Sequence, residues 1–153
     1  MKIKKCLLVL SILLMLFTLT GCSKTVKTTA DFKKIAEENN LVVADVYSQY
    51  SAYSFFKEAT AVKSTDGWQI EFYVLSDEDH AVSMFDTNQK IFEDSKGKNS
   101  SSSSSEGSNF QKYTITTDGY YMHVCRVENT LLYLRVEEKF KSDVKKIVKK
   151  LGY

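Results

Sequence analysis

The chain has 153 residues, with 21 Lys and Arg against 19 Asp and Glu and a formal net charge of +2. That length suits one ordinary domain, and a charge so close to balance gives no general attraction for nucleic acid or an anionic surface. Lys2, Lys4 and Lys5 precede every acidic residue; without residues 1–21 the formal charge is −1, so the apparent basicity is local to the start.

Those lysines lead into a 13-residue, largely apolar run at residues 7–19, then small residues, then Cys22. A basic segment, an apolar stretch and a small-residue cleavage site are the parts of a secretory signal peptide. The run is too short for a spanning helix, which needs about 20 apolar residues. Leu19-Thr20-Gly21-Cys22 resembles the lipobox of bacterial lipoproteins. The resemblance implies a diacylglyceryl group on the Cys22 sulfur and cleavage between Gly21 and Cys22. Two acyl chains hold a protein durably at a bilayer where one chain does not. The expected organisation is a signal peptide at 1–21, a polar tether at 22–30, and one domain at 31–153. Cys6 leaves with the signal and Cys22 is lipidated, so Cys125 has no disulfide partner in the remaining 132 residues. A domain of that size can build its core without one.

The chain has no proline, so boundaries are read from Gly, Asn, Ser and the hydrophobic period. Thr28 with Asp31 has capping-box spacing, Phe32, Ile35 and Ala36 make one apolar helix face, and Asn39-Asn40 supplies a left-handed stop. Residues 41–46 read as a strand, and residues 49–57 as a short helix. Ser64-Thr65-Asp66-Gly67 marks a hairpin between strands at 59–63 and 68–75. In the second of these Trp68, Ile70, Phe72 and Val74 alternate with polar neighbours. Ser76 with Asp79 opens a second helix, with Asp77, Glu78 and Asp79 in the turn the helix dipole favours for acids. Residues 95–109, which include six consecutive serines, read as a disordered loop inside the domain. Strands at 110–116, 120–127 and 131–136 then form a meander, and a helix at 140–151 buries Val144, Ile147, Val148 and Leu151. Lys141, Lys145, Lys146 and Lys149 lie on its opposite face.

Residues 63–85 and 126–148 share the order turn, strand, capped helix. The helices match at an offset of 63 residues and the strands at 64. Two ββα-like halves sharing one sheet would explain this, and convergence on a common unit would explain it equally.

Few residues carry chemistry. His80 and His123 are the only histidines, and no metal-ligand spacing surrounds either. His123 and Cys125 share a strand face, a conceivable thiol–imidazole pair, although a small buried cysteine is the commoner arrangement. Asp77-Glu78-Asp79 lacks the alternating spacing of a calcium loop. No phosphate-binding glycine loop or nucleophile elbow occurs, so neither an enzyme nor a cofactor is expected. The tyrosines are the remaining hint, because they suit a binding platform as well as they suit half-buried strands. The expected surface is Tyr113, Tyr121, Arg126, Tyr133 and Arg135, with Glu71, Arg126, Arg135 and Glu137 projecting from the sheet face opposite the helices.

The layout as a whole resembles small lipoproteins of low-GC Gram-positive bacteria. The residues that carry this likeness are the lipobox, the Gly/Ser-rich internal stretch, the closing Asn129-Thr130-Leu131-Leu132-Tyr133 strand and the basic C-terminal helix. The likeness implies a cell-membrane, outer-face location and lends no catalytic residue. The expected fold is a single α+β domain whose mostly antiparallel sheet has five to six strands, with helices packed on one face. The expected function is non-catalytic: a module held at the membrane through Cys22 that binds a protein, peptide or envelope component. The alternative is a solute- or glycan-binding lipoprotein using the tyrosine-rich surface.

Overall fold

A computed structural model describes residues 22–153; the signal segment and Gly21 lie outside the described residues. In chain order the elements are α1 (Thr29–Glu38), β1 (Val42–Asp45), β2 (Phe56–Lys63), β3 (Gln69–Leu75), α2 (Glu78–Asp94), β4 (Ser101–Glu106), β5 (Phe110–Thr117), β6 (Tyr120–Val127), β7 (Thr130–Glu137) and α3 (Lys141–Leu151). The fold is α+β. One sheet of seven strands runs in the order β1-β2-β3-β7-β6-β5-β4, one or two strands more than the sequence suggests, and every pairing is antiparallel.

Local chemistry sets most of the boundaries. The Thr28–Asp31 capping box opens α1, and Asn40 stops it at a φ of 57°. The β2–β3 turn places Gly67 at a φ of 90°. Asp118 and Gly119 both have positive φ, as a two-residue hairpin between right-twisted strands requires. Gly152, at a φ of 81°, ends α3. The second helix is capped one residue later than its spacing suggests: the Asp77 side chain, not Ser76, accepts from the His80 N–H at 2.9 Å.

The sheet is buried on both faces. On the first, Phe32 and Ala36 of α1 and Val144, Ile147, Val148 and Leu151 of α3 pack over Ile70, Phe72, Cys125, Leu132 and Leu134. On the second, Ala81, Phe85 and Phe92 of α2 pack over Tyr73, Leu75, Met122, Val124 and Leu131. Two helices share a face as expected; the third corrects the one-face arrangement. The reason is legible in β6, where Tyr121 to Val127 are all buried. A strand covered on both sides has no wet face to alternate with.

This split also separates the two halves of the apparent repeat. β3 and β7 are neighbours whose matching residues point the same way, yet α2 and α3 leave to opposite faces. β3 reaches α2 through Ser76 and Asp77, whereas β7 reaches α3 through a 3₁₀ turn, Glu138–Phe140. The halves are therefore not equivalent.

Three further expectations are corrected. Residues 49–57 form no helix: a 3₁₀ turn at Tyr47–Gln49 is followed by coil, and β2 begins at Phe56. Phe56, Tyr50 and Tyr73 meet ring to ring there, so aromatic packing on the sheet overrides the three-residue tyrosine spacing. The serine run is the edge strand β4, paired residue for residue with β5 from Ser101↔Thr116 to Glu106↔Gln111. Its entry is pinned by the buried Thr117 hydroxyl, which accepts from the Gly97 N–H at 2.9 Å and lies 2.8 Å from Ser100 Oγ. Finally, residues 22–28 are not a loose tether. The Ser108 N–H donates to the Cys22 carbonyl at 3.1 Å, and Asn109 holds Lys24 by both backbone groups, at 2.9 and 2.8 Å. A Cβ at Gly107 would collide with the Cys22 carbonyl oxygen, so this close approach requires glycine.

Candidate functional site

Six strand spacings make the sheet about 29 Å wide, while two packed helices cover about 20 Å. The first face, under α1 and α3, is therefore too wide for its helices, and its β4–β5 end is left open. The result is a groove of about 680 Å³ between α3 and the β4–β6 strands.

Its lining is one-sided in charge. Lys24 comes from the N-terminal segment, Lys112 from β5, and Lys141, Lys145, Lys146 and Lys149 from α3; no Asp or Glu side chain lines it. The lysines on α3 lie outside its buried stripe of Val144, Ile147, Val148 and Leu151. Ser101, Ser103, Thr114 and Thr116 add hydroxyls from the strand side. Some lysines are engaged within the protein: Lys141 Nζ donates to Thr116 Oγ1 at 2.9 Å, Lys24 Nζ to the Gly152 carbonyl at 2.5 Å, and Lys146 pairs with Asp143 at 3.0 Å. Among the described residues Lys112, Lys145 and Lys149 form no salt bridge.

His123 of β6 lies in the floor of the groove, 2% exposed, and neither ring nitrogen has a hydrogen-bond partner among the described residues. Burial, then the positive charges of Lys112, Lys24 and Lys145, push its pKa down to about 3. The imidazole is therefore neutral at neutral pH and offers one N–H donor and one acceptor. An unpaired buried polar group costs about 1–3 kcal/mol, so this histidine is expensive for the fold alone.

The residues expected to form one surface are divided. Tyr121 points to the first face, under the groove, with the Lys141 ammonium 5.5 Å from its ring centre. Tyr113 and Tyr133 lie on the second face with the α2 core. Arg126 and Arg135 share that face by strand parity, as do Glu71 and Glu137, but it is the face that α2 covers. Arg126 is 8% exposed and committed to the fold, donating to Glu78 Oε1 at 2.7 Å and to Gln111 Oε1 at 2.6 Å. Arg135 stacks 4.4 Å from the centre of the Tyr120 ring. The tyrosines do not make one platform.

Cys125 shares the first face with His123, but burial pushes its thiol up to about 12 and its Sγ–H is directed at the Arg126 carbonyl, 3.7 Å away. A protonated thiol beside a neutral imidazole is the reverse of an activated nucleophile. His80 is exposed at the start of α2, its Nδ1 2.7 Å from Asp77 Oδ1. The capped His80 N–H, then the Ser76 hydroxyl and the His80 ring, hold the Asp77 carboxyl down to about 2. Among the described residues no three His, Cys, Asp or Glu side chains group as a metal site, and no helix is long and apolar enough to cross a membrane. Cys22 is exposed at the first described position.

The groove is the feature that sequence reasoning missed. Four of its lysines are visible as one face of α3, but their meeting with Lys24, Lys112 and His123 depends on β4–β5 being left uncovered. No protein-family model, curated protein or solved structure matches the chain.

Proposed function

We propose that this chain is a lipid-anchored, extracytoplasmic, non-catalytic module that binds a component of the cell envelope in the groove between α3 and β4–β6. The observation that carries the reading is the convergence of lysines from three separate parts of the chain over a buried histidine without a protein partner. The lipobox-like Leu19-Thr20-Gly21-Cys22 supports the anchor, and the exposure of Cys22 leaves its sulfur accessible. A glycan or solute platform built on tyrosines has less support, since those rings are split between the two faces.

Two measurements test the two halves of this reading. Intact-mass analysis of membrane-fraction protein from a bacterial host should give a species beginning at Cys22 with diacylglyceryl mass, absent from Cys22→Ala. A soluble product cleaved elsewhere would remove the anchor. Sedimentation with isolated cell envelopes should fall sharply in Lys112→Ala/Lys145→Ala/Lys149→Ala, made in the unlipidated Cys22→Ser form of residues 22–153. Undiminished sedimentation would remove the groove from the function.

A further inference from the structure

The groove's chemistry narrows its ligand. We propose that it binds a ligand carrying more than one phosphate, seated between Lys24, Lys112 and Lys145 over His123; this deepens the reading above and rests on it.

Charge is the first argument. Three parts of the chain far apart in sequence bring like charges together with no lining Asp or Glu side chain to offset them. Like charges gathered in one groove repel one another, and a multiply charged anion relieves that repulsion. The kind of cation is the second. Every charged side chain in the lining is a lysine and none is an arginine. The lysine ammonium is a rotatable point charge that binds phosphate without demanding one planar, bidentate geometry. Donor balance is the third. Ammonium groups, hydroxyls and a neutral imidazole N–H supply donors in excess, and phosphate oxygens supply acceptors only. His123 is buried without a protein hydrogen-bond partner, so an acceptor in the groove would satisfy a group that the fold leaves bare.

Size and the aromatic groups refine the class. At about 680 Å³ the groove has room for several anionic groups. Its two aromatic rings are already engaged: Tyr121 lies beneath Lys141, and the Tyr153 hydroxyl bonds Thr130 while its ring packs edge-on against Phe72. Neither offers the free face on which a nucleobase stacks, so the groove suits phosphates without a base.

Such phosphates could come from a soluble compound or from lipid headgroups, and the experiment separates the two. Residues 22–153 hold every described strand and helix and both buried clusters, so this piece, with Cys22→Ser, is the protein to use. It is titrated with inorganic pyrophosphate at constant ionic strength while the His123 ring resonances are followed by NMR. In parallel it is sedimented with phosphatidylcholine vesicles, with and without cardiolipin, whose headgroup carries two phosphates. Saturable binding with a His123 shift is expected, weakened about tenfold or more by Lys112→Ala/Lys145→Ala, the loss of about 1.4 kcal/mol or more. The charge-matched Lys57→Ala/Lys63→Ala, on exposed β2 positions outside the groove, should change it little.

Binding to pyrophosphate supports the proposal with a soluble source; groove-dependent binding to cardiolipin vesicles alone supports it with a headgroup source. Binding to neither overturns it, as does an equal loss in both lysine pairs, which would mean unspecific attraction. If envelope sedimentation still depends on the groove while both phosphate arms fail, the ligand class is wrong and the broader reading stands. Should the groove pair fold poorly, Lys145→Gln alone, on the exposed face of α3, gives the same comparison.

Discussion

Arg126 and His123 stand three residues apart on β6, on opposite faces, and are buried to nearly the same degree, 8% and 2% exposed. The arginine has partners waiting: Gln111 from β5 and Glu78 from the first turn of α2. The histidine has none among the described residues, and the nearby charges that affect it share the sign it would acquire. The same strand thus carries one polar group whose cost is settled inside the fold and one whose cost is not. Buried polar groups of the first kind hold structure together, and those of the second kind point outward to a ligand.

Breaking the settled side should have the largest effect. Arg126→Met leaves Glu78 and Gln111 without their donor, and a loss of about 2–3 kcal/mol is expected in urea unfolding. Glu78 is half-exposed and water can reach it, so the loss should fall short of that for a wholly buried pair. No change would mean that the arginine, too, is there for something else.

Acid should expose the other side. The folded His123 pKa, about 3, lies below the usual value of 6.5, so the unfolded chain binds the proton more readily. Its contribution to stability is complete above about pH 6.5 and is lost as the pH falls toward 3. Between about pH 7 and pH 5 the loss from this group is roughly 2 kcal/mol. The measurement is the difference between wild type and His123→Leu over that interval, since the variant keeps every other titrating group. Parallel curves would refute the burial of an uncharged imidazole. At neutral pH the same variant should be more stable than wild type, by about 1–2 kcal/mol, because it deletes two unpaired polar atoms. A stability gain together with weaker pyrophosphate binding would mark His123 as kept for the ligand.

The smallest effect concerns how the third lysine reaches the histidine. Gly107→Ala would push residues 22–24 off the β4–β5 turn and cost about 1 kcal/mol, with faster hydrogen exchange at the Lys24 amide. An unaltered exchange rate would mean that Lys24 is placed by something other than this contact.

Much of the fold was legible because local signals agreed with it. The Thr28–Asp31 cap, the Asp66-Gly67 and Asp118-Gly119 turns and the apolar stripe of α3 all lie where their chemistry puts them. What failed was set at long range. Serine has neither the bulk nor the alternation of a strand former, and β4 exists because β5 offers an edge and Thr117 fixes its start. Tyr121-Met122-His123-Val124-Cys125 is a nearly unbroken apolar run that announces burial on both faces, but weighing each face separately conceals it. The groove was hidden by the average. A net charge near zero says nothing of where the charges stand, and Lys24, Lys112 and Lys145 meet only after seven strands are laid side by side.

The pinning of residues 22–28 bears on what a lipid at Cys22 would do. Seven flexible residues would form a leash with a typical reach of about 15 Å, letting the domain tumble above the bilayer. Held by Asn109 and Ser108, the same residues become a mount without slack, and the acyl chains would leave from a fixed point close to Lys24. A groove carried that way samples its surroundings as an attached group does, at an effective concentration set by geometry. For phosphates on headgroups, its occupancy would then follow how densely they are spread over the membrane; for a soluble ligand the mount would change nothing, and occupancy would still follow concentration.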